Sequence, residues 1–254
     1  MSIVRTIERD GLAVFPKLFP LPLLRRIRAE VLRRHESGEL RRRGLVRDIA
    51  GRCTSILPFA GPFLDVRLYA NPALSKILPT LLGPDYRLSS LEAVIAESGA
   101  AAQYQHIDGP LRWGDGLSKL PPYALALATP LCDVDEENGP TAIWPGSHRA
   151  AGPRLPSERA ISKRYPQRRM TGRFGFSYLY DYRTFHRGTP NHSGEARPLL
   201  MLVFTRAWYR DPNLQDVSTG LVISTRALDK IPARHRDLFL LAPAAQREHW
   251  RAKK

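Results

Sequence analysis

The sequence predicts a mainly β domain, a sandwich or barrel of short strands with flanking helices at its N-terminal side. Three observations predict it. Six short apolar or alternating runs, "SLEAVIAE", "AAQYQHID", "YALALAT", "TAIWP", "FGFSYLY" and "LLMLVFT", follow one another between residues 90 and 205, separated by Gly, Pro, Asn and Asp. Strands at such intervals are the pattern of all-β folds. The chain carries 22 Pro and 18 Gly, a supply of turn formers that favours short strands over long helices. Apolar residues at helical spacing dominate the chain before residue 85.

Taken in order, residues 1–20 read as a short amphipathic piece followed by the strand "GLAVF". In "PLPLLRRIRAEVLRRHESGEL", Leu24, Ile27, Val31 and Leu32 recur at helical spacing and Gly38 stands past the end, so this is an amphipathic helix with arginines on its wet face. "NPALSKILPTLLGPDY" is a second helix, capped near Asn71, with Pro72 in its first turn and stopped by Gly83-Pro84. The six strand-like runs follow. Between two of them lies the segment 149–173, polar, rich in Arg and broken by Pro, which reads as a long loop: a lid, a binding loop or a surface insertion. No repeat or linker interrupts the chain. The expectation is one domain over 1–254, with an N-terminal helical flank (1–85), a β core (86–210) holding the 149–173 insert, and a C-terminal extension (211–254).

Bulk properties narrow the function classes. Cys53 and Cys132 are far apart and in no metal-binding pattern, which suits reduced thiols in a cytoplasmic protein. No apolar run is long enough to span a bilayer, and the first residues hold no signal core. The net charge of +15 is unusual. It favours anionic ligands and nonspecific polyanion contact, but no recognition helix or zinc pattern accompanies it, so no specific nucleic-acid partner is expected.

The chemistry resides in "YQHIDGPLRW" and "TFHRGTPNHSGEARPLL". On a strand, His106 and Asp108 share a face with Ile107 opposite. Two ligand-type side chains so placed grip one ion or form a plain surface pair. His186 stands 80 residues on, and Arg197 follows 11 residues later at the head of the last strand. Two histidines and one carboxylate with open coordination positions are the facial triad of non-heme Fe(II) oxygenases. Arg197 adds a planar, permanent cation suited to a dicarboxylic co-substrate. Gln103 and Thr129 are weaker candidates for the co-substrate pocket, Gln103 facing the interior and Thr129 sharing a face with Leu125 and Leu127. Tyr104, on the His106 face, and Trp113, in the loop beyond, are candidate substrate contacts, with packing as the alternative. His148 reads as a hydrogen-bonding group of the "PGSH" turn and His192 as exposed.

The order "HID", then "DEENGPTAIWPGSHR", then "HRGTPNHSGEAR", together with the opening "ERDGLAVFPKLFPLPLLRRIRAE", resembles the phytanoyl-CoA dioxygenase family of Fe(II)/2-oxoglutarate oxygenases. The resemblance runs from about Asp10 to Arg206. It implies a double-stranded β-helix (a jelly-roll, cupin-like barrel) with iron at its mouth, His106, Asp108 and His186 as metal ligands, and Arg197 as partner of the distal 2-oxoglutarate carboxylate. It also implies Fe(II), 2-oxoglutarate and O2 as cofactor and co-substrates, and hydroxylation of a small-molecule or natural-product substrate, anionic or polar in view of the basic insert. Related halogenases carry a small residue in place of the carboxylate, so Asp108 favours C–H oxidation. The alternative is an iron-free binding protein of the same fold, for a small molecule or nucleic acid.

Overall fold

The computed structural model describes residues 2–42, 51–108, 120–150, 155–211 and 221–242. Helix α1 (Ile3–Asp10) ends at Gly11, whose φ of 64° supplies the left-handed turn into β1 (Leu12–Phe15). Helix α2 (Leu21–Glu36) buries Leu23, Leu24, Ile27 and Val31. Its arginines are exposed except Arg34, which is held by Glu30 and Glu39, each at 2.7 Å. After α3 (Glu39–Arg42) come β2 (Arg52–Ile56), α4 (Val66–Tyr69) and α5 (Pro72–Leu82). The Asn71 side chain caps α5 by accepting from the Ala73 N–H at 2.9 Å. The strands β3 (Arg87–Ala96), β4 (Ala124–Pro130) and β5 (Thr141–Ile143) follow. Then come α6 (Glu158–Arg164), β6 (Arg168–Arg169), β7 (Ser177–Asp181), β8 (His186–Gly188), β9 (Arg197–Thr205) and α7 (Thr225–Asp229).

These strands make two antiparallel sheets, of order β1-β7-β4-β9-β3-β2 and β6-β5-β8. The larger sheet alternates cleanly between two cores. Leu125 and Leu127 of β4, Leu179 of β7 and Leu200, Leu202 and Phe204 of β9 pack outward with the helices. Ala126 and Ala128, Tyr178 and Tyr180, and Leu199 and Val203 face inward, with Ala142 and Ile143 of the smaller sheet. This is a jelly-roll sandwich; the two sheets do not close into a barrel.

Three expectations are corrected. The flank 1–85 is not only helical beyond the expected strand "GLAVF", because β2 joins β1 as the other outer strand of the larger sheet. "AAQYQHID" is not a continuous strand: His106 bridges to His186, while Gln103 and Asp108 add single backbone bonds to Gly188 and Tyr182. The insert is not a long loop in its described part, residues 155–173: α6 buries Ile161, Met170 just after β6 is buried, and β6 pairs with β5. The C-terminal extension packs Leu221, Ile223, Leu228, Ile231 and Phe239 into the outer core.

Turn residues fix the loops that carry the site. The Asn191 side-chain amide is fully buried and donates to the carbonyls of Ala96, Glu97 and Glu195 at 3.1, 3.1 and 2.8 Å, tying the end of β3 to the β8–β9 connection. Asn191→Ala leaves three acceptors without that donor and is expected to cost about 3 kcal/mol, lowering Tm by roughly 6–12 °C for a domain of this size. Thermal unfolding checks this; a shift under about 2 °C would mean that water replaces the amide without loss.

Candidate active site

The segment from Gln103 to His106 runs beside β8, and Asp108 follows it with an N–H bond to the Tyr182 carbonyl. The N–H of Gln103 donates to the Gly188 carbonyl, and His106 and His186 exchange both backbone bonds, at 3.0 and 2.9 Å. Residues directly opposite in an antiparallel pair project to the same face, so the two imidazoles meet, with ring centroids 4.4 Å apart. Asp108 lies two residues beyond His106. Its Oδ1 is 3.3 Å from His186 Nε2 and 3.9 Å from His106 Nε2. One nitrogen or oxygen from each of the three side chains falls within 4.8 Å of the others.

The tautomers are set locally. His106 Nδ1–H donates to the Tyr104 carbonyl at 2.9 Å, and His186 Nδ1–H donates to the Thr184 carbonyl at 3.0 Å. A carbonyl only accepts, so a proton sits on Nδ1 in both rings and the Nε2 of each ring is turned toward Asp108. Burial, reinforced by His186, pushes the His106 imidazole down to about 4. Burial alone would raise the Asp108 carboxyl, but His186, His106 and the Tyr180 hydroxyl together hold it near about 2. Burial also works against His186, yet the Asp108 charge outweighs it and the imidazole is raised. Two nitrogen donors and an ionised oxygen donor around one point form a set that suits a divalent iron.

The β7–β8 turn holds His186 in place. Asp181 and Arg183 form a buried two-pronged ion pair, at 2.8 and 2.6 Å, and Arg183 also donates to the Leu120 carbonyl. The Ser147 hydroxyl of the "PGSH" turn accepts from the Phe185 N–H at 2.9 Å. His148 is buried, with Nε2 3.2 Å from the Glu8 carbonyl, while His192 is exposed.

The triad lines a cavity of about 330 Å³ between the sheets. Arg197 also lines it, is 3% exposed, and has no partner for its buried Nε. Burial lowers its pKa. Sequence reasoning missed a second arginine. Arg52 of β2 lines the same cavity at 2% exposure. One of its nitrogens, Nη2, bonds the carbonyls of Ala101 and Thr189, while Nε and Nη1 are buried without partners. Burial, then repulsion by Arg197, brings Arg52 down to about 10. The register explains the pairing: Arg52 and Arg197 lie opposite Ala96 from either side, roughly 10 Å apart at Cα by two strand spacings. The small Ala96 leaves both cations room over one compartment. Gly188 completes the cradle, because a Cβ there would sit 2.6 Å from Arg52 Cζ and 2.8 Å from Gln103 Oε1. The alternation Arg52, Thr54, Ile56 in "RCTSI" was the available signal.

The other candidates separate. Gln103 lines the cavity and accepts from the Gly188 N–H at 2.8 Å. Tyr104 is 68% exposed at its rim, with its ring 5.3 Å from that of His106. Thr129 is a correction: it follows the parity of Leu125 and Leu127, which is the helix-facing side. Its hydroxyl lies 2.9 Å from that of Ser177, and its neighbour Ala128 lines the cavity instead. Trp113 lies outside the described residues.

The family model of Phytanoyl-CoA dioxygenase (PhyH) matches residues 7–199, a stretch that includes His106, Asp108, His186 and Arg197. The chain belongs to the phytanoyl-CoA dioxygenase family. It is an Fe(II)/2-oxoglutarate dioxygenase by that membership, with a His-Asp-His candidate site in place. Two solved structures share the fold at 21% identity. One is the non-heme alpha ketoglutarate dependent epimerase SnoN from nogalamycin biosynthesis, with a TM-score of 0.63 over 85% of this chain and 87% of that one. The other is EctD from S. alaskensis with 2-oxoglutarate and 5-hydroxyectoine, with a TM-score of 0.65 over 83% of this chain and 78% of that one. Among the described residues of this family member, no helix is long and apolar enough to cross a membrane.

Proposed function

We propose that this phytanoyl-CoA dioxygenase family member hydroxylates an unactivated C–H bond of a small molecule held in the inter-sheet cavity. The observation that carries the reading is the convergence of three donor atoms beside a buried guanidinium with an unsatisfied N–H. His106 and His186 through Nε2, and Asp108 through Oδ1, would hold Fe(II). Bound there with 2-oxoglutarate and O2, the iron supplies the oxidising power that cleaves a C–H bond, with succinate and CO2 as co-products.

The chain's own residues do the rest. A buried cation calls for an anion, and the distal carboxylate of 2-oxoglutarate meets that need at Arg197, with Arg52 as the second arm. Gln103 and Gly188 support that arm. The aromatic Tyr104 flanks the entrance for substrate. Asp108 keeps a carboxylate where a halide would otherwise bind, which supports oxygenation over halogenation. The fold also serves an epimerase, SnoN, so the outcome at the substrate carbon is the part of this reading that product analysis must decide. A natural-product substrate is in keeping with SnoN, which comes from nogalamycin biosynthesis.

Anaerobic addition of Fe(II) and then 2-oxoglutarate to the purified protein is expected to give a weak visible charge-transfer band. Admission of O2 is expected to release succinate. Absence of the band at saturating Fe(II) and 2-oxoglutarate would sink the assignment.

A further inference from the structure

Strand β7 and the residue after it contribute three inward tyrosines, at 178, 180 and 182, and each hydroxyl is spoken for. Tyr178 donates to Thr141 Oγ1 at 2.9 Å, Tyr180 to Asp108 Oδ2 at 2.8 Å, and Tyr182 to Asp211 Oδ2 at 3.0 Å. Tyr180 occupies the middle level, beside the triad, with its ring 4.9 Å from that of His186. It has little freedom to leave. It is 3% exposed, and its ring lies 6.1 Å from Tyr178 at 28°, Tyr178 itself being 6.2 Å from Phe176 at 27°. Nothing in the triad pattern identifies this residue.

We propose that Tyr180 is a positioning residue that decides which oxygen of Asp108 meets the metal. The two carboxylate oxygens are already divided: Oδ2 takes the tyrosine hydroxyl, and Oδ1 faces the Nε2 atoms of both histidines. With Oδ2 engaged by the tyrosine, Asp108 would offer Oδ1 to the ion and would take one coordination position, leaving those a chelating carboxylate would cover to co-substrate and O2. Outer partners of this kind tune metal affinity and hold ligand orientation. This inference rests on the iron reading above and adds a role for a residue outside the three metal donors.

The test uses Tyr180→Phe, which removes one hydroxyl and keeps the ring stack, and metal alone as the probe. Anaerobic titration with Fe(II) is expected to show a Kd raised by roughly 10- to 100-fold. Loading with Co(II) is expected to give a visible spectrum whose band positions and intensity differ from wild type, because the freed carboxylate changes how many oxygens it contributes. A merely structural role would lower Tm and leave the Co(II) spectrum of the folded fraction unchanged. Equal Fe(II) affinity and an unchanged Co(II) spectrum would overturn the proposal, as would a spectrum that stays constant while Tm falls. If Tyr180→Phe does not fold, site-specific Tyr180→3-fluorotyrosine reads the same bond: a more acidic hydroxyl is a stronger donor, so a lower Fe(II) Kd supports the proposal and an unaltered one overturns it. Wild type that binds Fe(II) and gives the 2-oxoglutarate band, alongside an indifferent Tyr180→Phe, refutes this role alone; wild type without the band refutes the function itself.

Discussion

Replacing His186 by alanine is expected to abolish both Fe(II) binding and succinate release, with turnover falling on the order of 10³-fold or more, beyond the 10- to 100-fold associated with outer partners of a metal. His186 is the hub of the triad. Its Nε2 lies nearest to Asp108, its ring touches both His106 and Tyr180, and its backbone makes the bridge that holds the His106 segment in place. Substitution keeps the backbone bridge and removes only the ring, so the loss should register in the metal titration with little change in far-UV circular dichroism. The co-substrate band should vanish with the metal. Retention of Fe(II) at wild-type affinity in His186→Ala would mean that the ion binds elsewhere.

Arg197→Met is expected to act in two opposite directions. In the loaded protein it strips the distal carboxylate of its buried partner. Breaking a buried ion pair costs about 3–5 kcal/mol, which corresponds to a rise of roughly 10²- to 10⁴-fold in the 2-oxoglutarate Kd or KM. Fe(II) affinity should be nearly unchanged, because Arg197 touches none of the three donors in the described contacts. In the ligand-free protein the same substitution removes a buried cation whose Nε has no partner and which repels Arg52. Its replacement by an apolar chain of similar length should hold or raise Tm, by roughly 2–4 °C per kcal/mol gained. Differential scanning calorimetry with and without 2-oxoglutarate separates the two. An unchanged 2-oxoglutarate KM would remove Arg197 from the co-substrate site.

The outcome also shows which features could be read in the one-dimensional chain. Strands were legible as apolar runs, as in "YALALAT" and "LLMLVFT", and Arg197 was placed at the head of the strand that bears it. Strand parity was misapplied at Thr129: the leucines it accompanies face the helices, and only the sandwich tells which of two apolar faces surrounds the cavity. Residues such as Asn71 and Gly83 carried their caps in plain view because local chemistry suffices there. Arg52 carried only a weak signal, the short alternation of Arg52, Thr54 and Ile56. It sits in a five-residue strand preceded by an arginine-rich stretch, and its importance comes from Ala96 and Arg197, neither of which is near it in the chain. Tyr180 was hidden for a related reason. Three alternating tyrosines look like core aromatics until Asp108, 72 residues earlier, is seen against one hydroxyl.

Strand β9 occupies a central place in the larger sheet, between β4 and β3, although it is the last strand in chain order among the described residues. Until residues 197–205 have left the ribosome, β7 can join β1 to β4 and β3 can pair with β2, but nothing joins the two groups, and His186 has only just emerged. Contacts this distant in sequence also form slowly, since long loops must close first. The two halves of the larger sheet are therefore joined only once residues 197–205 are available, and a metal held by His106, Asp108 and His186 is expected to enter after that point.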